Sequence, residues 1–240
     1  MKIGILGCGN LGSTLGRFWS EAGHDVVFAS SRPEKSAALA ERHQARSGSY
    51  PEVIAECPTL LYTLRQVVPQ QLSPGRWAGK TIIDCNQPDL LPGFEFKPRS
   101  HSLAQQLADD LPLCQVVKAF CLHPVELYHH GSDTLRSWGV QSFYCGNLPE
   151  DKDKVRQLAL DLGLLPFDCG PLSRAYLLEA QADFWRMFQL HQGQALVSQL
   201  QLVGYPEPAD FQRQPSFDWP DAGGPKPLPT REFEAEAPPE

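Results

Sequence analysis

Three glycines close behind an apolar run restrict what this chain can fold into more than any other feature. Lys2–Leu6 is short, apolar and flanked at once by Gly7, and it reads as a buried parallel strand. Leu11, Leu15, Phe18, Trp19 and Ala22 then recur at helical spacing, and Gly23 supplies a left-handed stop. Gly7, Gly9 and Gly12 between them form G-x-G-x-x-G, the dinucleotide-binding fingerprint when it joins a strand to a helix. Gly7 allows the sharp turn, Gly9 lets backbone N–H groups approach a pyrophosphate, and Gly12 lets helix and strand pack closely. The unpaired N–H groups of the helix start then receive the phosphates. Gly16, one turn further on, extends the close packing.

With 240 residues, 42% of them hydrophobic, the chain can bury one large domain or one and a half. A formal charge of -7 argues against nucleic acid as a partner, though it leaves room for a small basic pocket. No apolar run approaches a membrane span, and the stretch after Lys2 is too short and glycine-broken for a signal peptide. A soluble, cytoplasmic protein with no membrane partner is expected. Seven cysteines (8, 57, 85, 114, 121, 145, 169) are scattered and never in C-x-x-C, which gives neither a zinc nor a disulfide framework. Most read as small buried hydrophobes beside strands. His129 and His130 lie in a polar stretch and read as surface, so no metal is expected.

Asp25–Ala29 is the second strand, and the loop after it meets the adenosine ribose in such a fold. An acid there would favour NAD; this strand instead runs into Ser30-Ser31-Arg32-Pro33-Glu34-Lys35. Two hydroxyls and a guanidinium suit a 2′-phosphate, with Lys35 adding charge, so the chemistry favours NADP. The same residues also suit a helix start, with Pro33 in its first turn. Further helices are expected over 36–42, 50–56, 65–72 and 102–110, with a brief strand within 45–49. Strands are expected over 59–63, 81–84 and 114–120. Their carboxyl ends face the cofactor crevice. That makes Thr63, Leu64 and Arg65 candidates after the first, and Asn86, a nicotinamide contact or a turn residue, after the second. Beyond the third lie Ala119, Cys121 and His123; His123 is either a proton-exchanging group or a structural histidine. Lys118 within that strand either has a role or snorkels out. Residues 92–100 read as a lid or substrate edge. Strands over 141–145 and 165–169 flank a helix over 150–162. A helical stretch follows from Leu172 to Val203, with an aromatic stripe for a core or a dimer interface. From 204 to 240, proline, glycine and acids predict a disordered tail.

These features together resemble the NADP-dependent oxidoreductases that include the coenzyme F420-dependent NADP reductases and the cytosolic domain of the transmembrane ferric reductases. The matching stretches are Gly7–Gly12, Ser30–Arg32, Asp84–Pro88, Val116–Phe120, Cys145-Gly146 and Asp168–Leu172, followed by Glu179. The resemblance implies an α/β fold of Rossmann type: a doubly wound, mostly parallel sheet with a small C-terminal helical portion and the tail. Residues 1–125 would bind the nucleotide, 126–203 would close the crevice, and 204–240 would be the tail. It further implies that Gly9, Asn10 and Leu11 hold the pyrophosphate, and Ser31 with Arg32 the 2′-phosphate. Cys121-Leu122 stands where much of the family has Asn-Thr, and Leu64–Pro69 lacks a usual proline; both lie beside the second substrate.

The expected activity is hydride transfer between NADP(H) and a small-molecule acceptor such as coenzyme F420 or another deazaflavin or flavin. Cys121 and His123 are the substrate-side catalytic candidates. Ring stacking rather than acid–base chemistry carries such a reaction. The alternative is an NADP(H)-binding sensor without turnover. A reductase of a small imine or hydroxy acid is a third reading, for which the second helical portion is short. A homodimer through the C-terminal helix is expected.

Overall fold

The computed structural model of the chain describes residues 1–65, 67–73, 75–87, 101–191 and 200–203. The fold is built from Met1–Gln199; residues 200–203 carry no helix or strand. The expected lid over 92–100 and the expected disordered tail over 204–240 lie outside the described residues.

Strands β1 (Lys2–Leu6), β2 (Asp25–Ala29), β3 (Arg46–Ser47), β4 (Thr59–Tyr62), β5 (Thr81–Asp84), β6 (Gln115–Lys118), β7 (Gln141–Gly146) and β8 (Leu165–Asp168) form one eight-stranded sheet. Its order is β3-β2-β1-β4-β5-β6-β7-β8. Every pairing is parallel except β6 with β7, where Lys118 lies opposite Cys145. The chain winds outward from β1 in one direction to β3 and then in the other from β4. The α/β architecture is therefore doubly wound, and its switch point lies between β1 and β4.

Side-chain alternation divides the core. Ile3, Ile5, Val26, Phe28, Leu61, Ile83 and Val117 join one buried cluster. Leu6, Val27, Leu60, Tyr62, Ile82 and Val116 join the other. The first face is covered by α1 (Asn10–Glu21), α2 (Pro33–Arg42), α6 (Val125–Tyr128) and α8 (Pro149–Asp161). Trp19 of α1 is fully buried and donates its indole N–H to the Leu158 carbonyl at 3.1 Å, which ties α1 to α8. On the second face lie α3 (Tyr50–Glu56), α5 (Leu103–Asp110) and α9 (Ala175–His191). The short helices α4 (Pro69–Leu72) and α7 (Ser132–Ser137) complete the set of regular helices among the described residues.

Among the boundaries that differ from the sequence reading, three bear on the site. The helix expected over 65–72 is the single turn α4, because Pro69 can occupy only its first turn. Strand β6 stops at Lys118, since Phe120 takes a left-handed backbone (φ 56°) incompatible with a strand. The long C-terminal helix begins as a 3-10 turn at Leu172–Arg174 and continues as α9 over Ala175–His191; residues 192–199 lie outside the described residues, and 200–203 are not helical.

Candidate functional site: a crevice at the switch point

The carboxyl ends of β1, β4, β5 and β6 open into a cavity of about 380 Å³, within the roughly 300–1,000 Å³ range of small-molecule sites. Gly9, Asn10, Leu11 and Gly12 line one side with Thr63. Asn86, Gln87 and the turn Phe120–His123 line another, and Ala182, Trp185 and Arg186 of α9 form a wall. Spacing of three and four residues puts this last group on one face of the helix.

The glycine turn is held by its own packing. Gly7 has φ 110°, and a side chain on Gly12 would overlap the Gly7 carbonyl oxygen. Thr63 donates its hydroxyl to the carbonyls of Leu6 (3.0 Å) and Gly7 (3.1 Å), clamping β4 to the turn. Helix α1 starts at N-cap Gly9 with no side-chain cap and no acid in its first turn. Space in front of Gly9 is open. These are the conditions under which a helix start offers its N–H groups to an anion.

At the end of β2, the Ser30 hydroxyl accepts from the Arg32 backbone N–H at 3.1 Å, which shapes the loop into α2. Ser31 hydrogen-bonds with the Tyr50 hydroxyl, whose pKa burial raises. Ser31 and Arg32 are exposed and Lys35 half-buried. This group lies outside the lining of the central cavity, one strand away from the glycine turn.

Behind the crevice sits a buried ion network. Lys118 is fully buried rather than snorkelling, and its ammonium meets Asp84 at 2.8 Å, Glu179 at 3.1 Å and the Asn86 carbonyl. Burial pulls its pKa down, but the facing Asp84 and Glu179 charges outweigh burial and hold it above the ordinary lysine value. Glu179 also accepts the backbone N–H groups of Leu103 and Ala104, so one carboxylate ties α9 to the start of α5 and to β6. Asp84 accepts from the backbone and side chain of Asn86 at 3.1 and 3.0 Å. The Asn86 amide also donates to the Tyr62 carbonyl at 3.3 Å, and Gln87 donates to the Cys121 carbonyl at 2.7 Å. The loop after β5 is thereby fixed to β4, β6 and α9.

Residues 2–88 match the family of NADP oxidoreductases described as coenzyme F420-dependent. Over this stretch the chain is similar to that family. The rat (Rattus norvegicus) metalloreductase STEAP3 is 30% identical over 185 residues, which cover 75% of this chain and 36% of that protein. The chain thus spans about a third of the length of this curated relative. A candidate F420-dependent NADP reductase from Arthrobacter sp. FB24 has a similar structure (TM-score 0.68, 22% identity, 81% of this chain, 96% of that one). A reductive aminase from Aspergillus terreus, solved with NADPH and ethyl levulinate, covers 80% of this chain and 62% of its own (TM-score 0.58, 20% identity). At these identities the structural likeness carries the fold.

The structure places the remaining expected site residues as follows. His123 accepts from the Tyr128 hydroxyl (3.0 Å) and donates to the Gln141 carbonyl (2.7 Å), so both ring nitrogens are engaged. Burial lowers its pKa against a partial rise from the Gln141 bond, which keeps it neutral. Burial pushes the Cys121 thiol up to about 11, against the pull of Lys118, so it is no thiolate. Both line the crevice as neutral, structurally committed groups. Ala119 is fully buried in the core and reaches neither cavity, because strand alternation turns it inward. Leu64 faces a second cavity of about 360 Å³ beside α4 and α5, which adjoins the first through Arg65, Asn86 and Gln87. Gln87 and the α9 wall escaped the sequence reading. The quoted Asp84–Pro88 stretch and Glu179 were the available signals. Among the described residues no set of side chains could hold a metal ion, and no helix is long and apolar enough to cross a membrane.

Two outcomes are expected. Lys118→Met, which strands two buried carboxylates, should lower the urea unfolding free energy by about 3–5 kcal/mol; Glu179→Gln, which keeps an acceptor, should cost less. Because the folded pKa of His123 lies below the ordinary histidine value of 6.5, its contribution to stability is full above pH 6.5 and declines as pH falls below it. Wild-type unfolding midpoints should therefore drop more steeply than those of His123→Gln between pH 6.5 and the lowered folded value, while the two run parallel above it.

Proposed function

We propose that the chain binds NADP(H) across the switch point and transfers a hydride between it and a small acceptor, a deazaflavin or flavin in the first instance. The observation that carries this is the uncapped α1 N-terminus facing the crevice, with a guanidinium at the end of the neighbouring strand where NAD-specific folds put an acid. The residues fit the nucleotide. Gly9, Asn10, Leu11 and Gly12 would hold the pyrophosphate; Ser30, Ser31, Arg32 and Lys35 would hold the 2′-phosphate; Asn86 would meet the nicotinamide. When bound, the cofactor supplies the hydride.

This chain's part is binding and orientation. Trp185 and Ala182 present an apolar wall that limits water, and Thr63 keeps the glycine turn in place. No acid or base is required of His123 or Cys121, so their neutrality is compatible with turnover. On this reading residues 1–125 carry the nucleotide and the portion after 126 closes the site through α9. Seven unpaired cysteines suit a reducing compartment, and the cytosol is the location we infer.

Helix α9 buries Ala175, Leu178 and Ala182, while Tyr176, Phe184, Met187 and Phe188 stay about half exposed. We infer pairing of two copies through this face. Sedimentation should show a dimer that Phe184→Glu shifts towards monomer; a monomeric wild type removes the inference.

Titration with NADPH, followed by stopped-flow mixing with oxidised F420, FMN, FAD and ferric chelates, tests the function. Binding with reduction of one acceptor is the expected result. Binding with turnover on none would make the protein a nucleotide sensor. Arg32→Ala should weaken NADPH by roughly ten- to a hundredfold and leave NADH nearly unchanged; equal losses would remove the 2′-phosphate assignment.

A further inference from the structure

Asn86 and Gln87 stand side by side where the two cavities adjoin, and the direction of both amides follows from their partners. The Asn86 NH2 faces two acceptors, the Asp84 carboxylate and the Tyr62 carbonyl. A flipped amide would set oxygen against oxygen. The Gln87 NH2 faces the Cys121 carbonyl at 2.7 Å, and the same argument holds. The Asn86 NH2 is thus fully committed to the fold and one Gln87 N–H is spent on Cys121, which fixes the Gln87 amide with its carbonyl oxygen on the other side. Among the described residues the Gln87 Oε1 is buried and has no hydrogen-bond partner, a state that buried acceptors rarely keep.

We propose that Gln87 is a specificity residue that accepts a hydrogen bond from the NH2 of a primary carboxamide, and that this carboxamide is the one on the nicotinamide ring. The inference rests on the NADP(H) reading above and adds a residue to it. An unmet amide oxygen is complementary to NH2 and repels a bare carbonyl or a carboxylate. It therefore selects the amide form of the ring substituent and fixes which of its two ends points towards β5. The terminal torsion of glutamine is soft, so a small tilt of the whole amide plane can bring Oε1 towards an incoming N–H at little cost to the Nε2 bond on Cys121. The sheet supports the arrangement: Lys118 holds the Asn86 carbonyl, and Cys121 belongs to the turn that follows β6.

The test compares NADP+ with its 3-acetylpyridine analogue, in which a methyl replaces the NH2, by calorimetric binding to the full chain. Wild type should bind NADP+ tighter by roughly ten- to a hundredfold, the range of one buried hydrogen bond whose loss strands its acceptor. Gln87→Leu should bring the ratio close to one. Gln87→Met, closer in length, serves where the leucine variant does not fold. Arg32→Ala should weaken both nucleotides alike and keep the ratio. A wild type that binds both nucleotides equally overturns the proposal, as does a Gln87 variant that keeps the full ratio. Failure of the wild type to bind either nucleotide overturns the NADP(H) reading itself, and the inference with it.

Discussion

The Lys118 ammonium is the constraint on which the rest of the crevice depends. Taking a charge out of water costs several kcal/mol even after relaxation, and only well-placed partners offset it. Here all three N–H bonds are used, on Asp84, Glu179 and the Asn86 carbonyl. Those partners come from different parts of the chain: the end of β5, the loop after it, and α9. Two carboxylates against one ammonium leave an excess negative charge. Glu179 meets that excess at the start of α5, where the Leu103 and Ala104 N–H groups and the positive end of the helix dipole converge. A network of this kind is weak evidence for stability but strong for geometry. Neither the 84–87 loop nor the α9 wall can shift without exposing an unpaired buried charge.

The crevice that results is polarised along its length. At the glycine turn it presents backbone donors, because α1 begins without a side-chain cap. At the end of β5 it presents an unmet amide oxygen, the Gln87 Oε1, because the Asn86 NH2 is spent on Asp84 and Tyr62 and the Gln87 amide is turned by its bond to Cys121. Cations stand beyond the glycine turn at the end of β2. A ligand with anionic groups at one end and an amide donor at the other matches this order of charges. The match follows from where the chain uses its own hydrogen bonds rather than from any single reactive side chain.

How much of this was legible in the sequence depended on the range of the interaction. The glycine turn, α1 and β2 are local: spacing, a left-handed stop and turn residues determine them within a few positions. The sheet order was legible only as a class, since the antiparallel return of β7 beside β6 is a long-range pairing. Lys118 shows the limit most clearly. A lysine in an apolar strand invites either snorkelling or pairing, and the choice rests on Glu179, distant in sequence and adjacent in space. His123 was legible as a crevice residue, whereas its commitment to Tyr128 and Gln141 depended on how α6 and β7 fold back. Gln87 carried no signal beyond its place in the Asp84–Pro88 stretch. Its importance lies in one oxygen left over after the other half of the amide is used.

The neutrality of the crevice side chains bears on what chemistry it can support. Burial keeps Cys121 a thiol and His123 an imidazole, and Lys118 is locked in its ion network. A reaction that needed a proton moved by the protein in its slow step would find no candidate among these three. Hydride transfer makes no such demand. It gains most from holding two rings in register and from excluding water, and both are tasks for packing and for fixed hydrogen bonds. The investment in buried ion pairing behind the site then has a physical purpose. Rigidity of the wall, rather than reactivity of any residue on it, is what the proposed hydride transfer would require of this chain.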